Sequence, residues 1–269
     1  MRAILMAWMV AIPSLVLPHT SSDAAQMASL IALVAAVVTF AEYYSEYPTF
    51  LEFREAPPFN RLRFFALFLC VLFASLLMAT SNQQGLTSPT MLQGMAASAA
   101  VVMDIPFSPV RLMVIAFGDY PELFDVPMLT TMLSLLLATS LFALALFFIH
   151  ARFIFWPIRK QAFNFWINLP LFDPTSGRDV LFRLKRDAHI NLALGFLLPF
   201  LIPALLRMWM VAFDPSLLAM PYVLIWVTCA WAFLPMTLMM RGIALFRVAA
   251  LIEEKRRRAY AQEDELQIA

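Results

Sequence analysis

Charge is what this chain most lacks. Asp, Glu, Lys and Arg make up 14% of its 269 residues, against 62% hydrophobic residues. A water-soluble domain carries about 25% charged and about 45–50% apolar residues. A soluble globular fold is therefore excluded for most of the chain. Its mean hydropathy of +0.78 makes lipid the solvent, and the length is best counted in spans of about 20 residues.

Glycine is also scarce, with six in all. No two form a GxxxG pair, and none belongs to a Walker or dinucleotide-binding pattern. Tightly crossing helices and nucleotide-cradling loops are therefore not expected. The two cysteines, Cys70 and Cys229, lie inside apolar runs without a CxxC neighbour. That excludes a disulfide framework and reads as small apolar packing. Of the three histidines, His150 and His189 fall at one membrane boundary on neighbouring spans. Such a pair could ligate a haem or a metal, but no further ligands cluster with it, so no cofactor or metal is expected. The span interiors hold no Asp, Glu, Lys or His, the residues that proton- and ion-coupled pumps use.

What the chain does have is a series of apolar runs. Six of them, at 3–17, 24–40, 64–80, 127–149, 190–211 and 220–240, read as transmembrane spans. The expected fold is all-α: a polytopic helical membrane protein of six transmembrane helices, with interfacial amphipathic helices and a C-terminal cytoplasmic helix extension. Residues 1–252 form the bundle and 253–269 the tail. The first run also fits a signal peptide, with Ser22 and Ala24 at the −3 and −1 positions. The preferred reading is a short first span, joined to the second as a hairpin by the turn His19-Thr20-Ser21-Ser22-Asp23.

Two inner loops, 41–63 and 150–189, and one outer loop, 81–126, connect the spans. In the outer loop, Asp104, Pro106, Pro109 and Arg111 interrupt two apolar stretches. A charge at mid-bilayer costs at least ~2.5–3.5 kcal/mol, so these stretches read as short helices lying on or dipping into the outer surface. Asn60 is the expected N-cap of the third span. Tyr43, Tyr44 and Tyr47, with the Phe and Trp residues of the second inner loop, read as an interfacial aromatic belt. Pro199 and Pro203 free backbone groups on one face of the fifth span and kink it. Arg207 lies close enough to the outer interface to snorkel.

Orientation follows from the distribution of positive charge. With the N-terminus inside, the inner segments hold one, three, seven and six basic residues, 17 of the 19. Only Arg111 and Arg207 fall outside. A seventh span within 81–126 would put the seven-residue group opposite Arg54, Arg61 and Arg63, so six spans with both termini cytoplasmic are expected.

The longest polar interruption is 159–191. It divides into an aromatic membrane-surface segment, a turn around Asp173-Pro174, and a basic amphipathic helix that runs into the fifth span. Ser176 and Asp179 have near-capping-box spacing for that helix. The Gly177-Arg178 turn is weakly suited to a phosphate. Past the last span, Glu253 with Arg257 and Glu254 with Arg258 make favourable i,i+4 pairs.

The candidate contact residues are Arg159, Lys160, Arg178, Arg183, Lys185, Arg186, Arg256, Arg257 and Arg258. The expected partners are anionic lipid at the inner face of the bilayer and other membrane-protein subunits. No nucleic-acid signature accompanies the basic runs, and no nucleic-acid partner is expected. With no catalytic motif, the chain reads as a non-enzymatic inner-membrane protein, a scaffold, assembly factor or regulatory subunit. One alternative is a small-solute transporter or channel lined by Ser134, Thr139, Ser140 and Thr228. Another is a lipid-processing enzyme at the interface, using His150, Asp173, Asp179, Asp187 or His189.

Overall fold

A computed structural model describes residues 1–18, 21–81, 90–154, 156–157, 164–172 and 179–268. Among these there is no strand. The helices are α1 (Arg2–Val16), α2 (Ser22–Tyr44), α3 (Phe59–Ser81), α4 (Met91–Met103), α5 (Pro109–Gly118), α6 (Val126–Phe153), α7 (Phe165–Asn168), α8 (Val180–Ala212), α9 (Ser216–Ala219) and α10 (Pro221–Ile268).

Five of them (α2, α3, α6, α8 and α10) are long and apolar enough to cross a membrane. The sixth expected span, α1, has 15 residues. At 1.5 Å per residue it rises only about 22 Å, against a hydrocarbon core of about 30 Å. It still belongs to the packed structure, because Met9, Val10 and Ile12 are buried. It forms the expected hairpin with α2, whose N-cap Ser21 accepts a hydrogen bond from the Ala24 N–H.

Helices α3, α6 and α10 pack against one another at the centre. Helix α8 lies along α10, α1 along α3, and α4 and α5 along α6. Helix α2 packs mainly on α1 and turns the rest of its apolar surface outward. That arrangement suits a lipid-facing helix.

The loops sort to two ends of the bundle. At one end the Arg2 guanidinium lies 4.1 Å from the Tyr43 ring centre, so α1 starts where α2 stops. The segments 45–58 and 164–172, with Trp156, meet α10 near Arg241 at this same end. At the opposite end Arg207 pairs with Asp119 at 2.7 Å, and the Tyr120 hydroxyl donates to the Met210 carbonyl. Arg207 thus has a protein partner there as well as the interface.

Helices α4 and α5 pack on the bundle, α5 against both α6 and α8. Thr90 and Gln93 form a capping box at the start of α4, and Ser108 caps α5. The turn between them places Arg111 Nε 2.9 Å from Asp104 Oδ1. Around it Val101, Val102, Ile105 and Phe107 face outward.

The α8–α10 contact is closer than the glycine count led us to expect. A Cβ on Gly195 would stand 2.5 Å from Met239 Cγ and 2.8 Å from the Pro235 carbonyl oxygen. A Cβ on Gly242 would stand 2.8 Å from Leu192 Cγ and 2.9 Å from the Ala188 carbonyl oxygen. Each helix contributes one glycine where the other helix's backbone approaches. A search for GxxxG within one helix misses such an arrangement.

The two prolines of α8 have a specific compensation. Pro203 has no N–H to offer the Pro199 carbonyl, and Trp231 Nε1 of α10 donates to that oxygen at 3.1 Å. Asn60 differs from expectation. It lies inside the first turn of α3 rather than at its cap, and its Nδ2 donates to the Glu52 carbonyl at 2.7 Å.

Candidate functional site at the basic end

The loop between α2 and α3 is a folded element. Glu42, near the end of α2, accepts hydrogen bonds from the N–H groups of Thr49, Phe50 and Leu51. Arg54 returns to the same helix end and donates to the carbonyls of Ser45 and Glu46. A helix C-terminus leaves its last carbonyls unpaired, and an arginine supplies both donors and compensating charge. The chain is thereby turned so that Glu52 points into the bundle.

Glu52 is 6% exposed. Its two carboxylate oxygens receive Arg241 Nε at 2.7 Å and Nη2 at 2.8 Å, a bidentate pair. Such geometry offsets the cost of desolvating both charges, which a single contact would not. Residue 53 then takes φ 53°, a left-handed conformation costly for a side chain with a Cβ. Its surroundings hold it there. The Phe53 N–H donates to the Asn168 carbonyl at 2.7 Å, and its ring lies 4.6 Å from Phe59 and 5.4 Å from Trp156.

Two described side chains of the loop between α6 and α8 fasten it to the loop between α2 and α3. Asn168, 4% exposed, accepts the Glu55 N–H on Oδ1 and donates Nδ2 to the Asn164 carbonyl. Trp156 Nε1 donates to the Ala56 carbonyl at 3.1 Å, and Arg247 of α10 donates to the Trp156 carbonyl. Trp156 therefore belongs to the core, edge-on to Phe147 at 5.1 Å, and not to the expected interfacial belt. Phe172 is buried with it, while Tyr44, Tyr47, Phe153 and Trp166 are exposed as that belt requires.

Of the nine candidate contact residues, Arg159, Lys160 and Arg178 lie outside the described residues, as do Asp173, Ser176 and Gly177. Four of the other six are ion-paired within the chain. Lys185 meets Glu253 at 2.9 Å, Arg186 meets Asp187 at 2.9 Å, Arg256 meets Asp179 at 3.0 Å, and Arg258 meets Glu254. Two of these pairs tie the start of α8 to the extension of α10. All four involve half-exposed side chains, where water and salt screen most of the attraction. They orient the extension more than they stabilise it. Arg183 lies over the Phe172 ring at 4.6 Å, and Arg257 is exposed.

The cap of α8 is Asp179, whose carboxylate accepts the Leu181 N–H. The Arg256 guanidinium, and then that N–H, hold the Asp179 carboxyl below the usual carboxylate range. As expected, the basic helix and the fifth span are one continuous element, Val180–Ala212. At 33 residues and about 50 Å it is longer than a bilayer core of about 30 Å. The pair expected between Glu253 and Arg257 gives way to Glu253 with Lys185, whereas Glu254 with Arg258 is present.

Three of the candidate catalytic groups, Asp179, Asp187 and His189, have partners within the chain. His189 Nδ1 lies 2.7 Å from the Lys185 carbonyl oxygen, and its ring packs edge-on to Phe246 of α10. Helix α10 packs against both α6, which carries His150, and α8. Among the described residues, no three His, Cys, Asp or Glu side chains are grouped to hold a metal. Asp179 and Asp187 are engaged by arginines. Ser134, Thr139 and Thr228 donate back to carbonyls of their own helices, and Ser140 meets the Cys70 thiol. Ser134, Ser140 and Thr228 are fully buried, so these hydroxyls do not line an aqueous path.

No family model, curated protein or solved structure matches this chain. The geometry alone carries the functional reading. Its central residues, Glu52, Trp156, Asn168 and Arg241, were not singled out by sequence reasoning. The available signal was a lone polar residue in apolar surroundings, as in Phe50-Leu51-Glu52-Phe53 and Trp166-Ile167-Asn168-Leu169.

Proposed function

We propose that this is a non-enzymatic polytopic protein of a bacterial-type inner membrane, a scaffold, assembly or regulatory subunit that docks its partner at the basic end. The observation that carries the reading is the locked pair of inner loops. The Glu52–Arg241 pair, Asn168 and Trp156 turn them into a fixed platform. From it α10 continues outward with Lys255, Arg257 and Tyr260 exposed. Pre-ordered surfaces favour binding because little freedom is lost on association. In this reading α1 crosses with α2 as a hairpin, both termini are cytoplasmic, and the α4–α5 turn dips into the outer leaflet on its exposed apolar side chains. The positive-inside distribution supports this orientation.

The test is cross-linking in native membranes, comparing the wild type with Lys255→Glu/Arg257→Glu. Neither residue is in the platform, so the variant should fold. Loss of specific cross-linked proteins is the expected result. An unchanged set of interactors would remove the proposed surface.

A further inference from the structure

Among the described residues at the basic end, Arg63 has a buried donor without a hydrogen-bond partner. It sits in the second turn of α3, half-buried, with its guanidinium 5.2 Å from the Phe59 ring centre. Its Nε is hidden from solvent and has no hydrogen-bond partner. The nearest carboxylate is Glu52, but Arg241 occupies both Glu52 oxygens. Both Glu52 oxygens are thus taken by Arg241, and neither hydrogen-bonds Arg63. A half-buried guanidinium with an unmet donor is costly unless an anion completes it.

The surroundings indicate which anion. Tyr43, at the end of α2, lies within electrostatic reach of Arg63. Arg2, at the start of α1, covers the Tyr43 ring at 4.1 Å. Three helix ends therefore meet with two arginines and a phenol between them. Deeper along the same helices, Ile4, Leu5 and Phe40 are exposed to the outside. The arrangement is polar at headgroup level and apolar below it, which matches a phospholipid better than a free phosphate. Arginine binds phosphate through a planar fork of donors, a geometry lysine lacks.

We propose that Arg63, with Arg2 and Tyr43, holds the phosphate of one anionic phospholipid, whose acyl chains lie along α1 and α2. The site rests on the reading that the basic end lies in a headgroup layer, and it is independent of whether α10 recruits a protein. The lipid assay below reads this site alone, whereas cross-linking reads the platform, so either can fail without the other.

The full chain purified in detergent is examined by native mass spectrometry and thermal unfolding. Phosphatidylglycerol, phosphatidylcholine or inorganic phosphate is added. The wild type should retain one phosphatidylglycerol under collisional activation and gain more in Tm from it than from phosphatidylcholine. Arg63→Gln should weaken that retention about tenfold, the scale of one charge-assisted contact. Arg61→Gln, at the exposed neighbour, should leave it unchanged. Retention by Arg63→Gln equal to that of the wild type overturns the proposal. So does inorganic phosphate that stabilises as much as the lipid, since it would mark a free-anion site. If Arg63→Gln does not fold, Arg2→Gln carries the test: weaker retention supports the site and unchanged retention overturns it.

Discussion

Breaking the Glu52–Arg241 pair should loosen the whole basic end. Glu52→Gln leaves a guanidinium facing an amide where it had two charge-assisted bonds. Removing one partner of a fully buried pair costs about 3–5 kcal/mol. The Arg241 side chain keeps 27% exposure and recovers some hydration, so roughly 2–3 kcal/mol is expected here. For a chain of this size that lowers Tm by roughly 4–10 °C. Hydrogen exchange should localise the effect: amides of 50–54 should lose protection before those of α6. A double-mutant cycle with Arg241→Gln separates the pair from each residue's packing, and a coupling above about 1.5 kcal/mol is expected. A coupling below about 0.5 kcal/mol, with 50–54 still protected, would refute the idea that this ion pair locks the platform.

Three further outcomes follow from the packing and the charges. Gly195→Ala should destabilise by about 1–3 kcal/mol in thermal unfolding, because its Cβ meets backbone atoms of α10; Gly94→Ala, with nothing within 4 Å, should instead be neutral or stabilising by up to about 1 kcal/mol. Trp231→Phe should cost about 1–3 kcal/mol by stranding the Pro199 carbonyl, and adding Pro203→Ala, which restores an N–H to that oxygen, should recover part of the lost Tm. The α8–α10 clamp should weaken in acid: the Asp179 carboxyl is held low by Arg256, so its contribution is complete above the usual carboxylate pKa and is lost as pH falls through the lowered value. Spin-label distances between the start of α8 and the α10 extension should broaden on acidification, and Asp179→Asn should show that breadth at neutral pH.

Much of the architecture was legible in residue order because lipid imposes a strict length and composition on a span. Runs of apolar residues located α2, α3 and α6 to within about five residues and the apolar parts of α8 and α10, although α8 starts at Val180 and α10 runs on to Ile268, and the prolines of α8 announced freed carbonyls. Trp231, 32 positions away, could not be named as the donor, since nothing local distinguishes it from the other tryptophans. The contact patch was less legible. A cation looks the same in sequence whether it faces solvent, like Arg257, or an acid on another helix, like Lys185 opposite Glu253.

By itself, the sequence determined that the chain is a helical membrane protein, where its long helices lie, and that its basic residues gather at alternate loops. Composition and periodicity suffice for these, because each is a local consequence of transferring backbone and charge out of water. Only the tertiary structure decided that α8 and α10 cross at single glycines and that Glu52 and Asn168 fasten two loops into one surface. It also decided that Arg63 Nε is buried without a hydrogen-bond partner. Those depend on which groups meet across tens of residues or more of chain, as Gly195 and Met239 or Glu55 and Asn168 do, and no local pattern encodes such meetings.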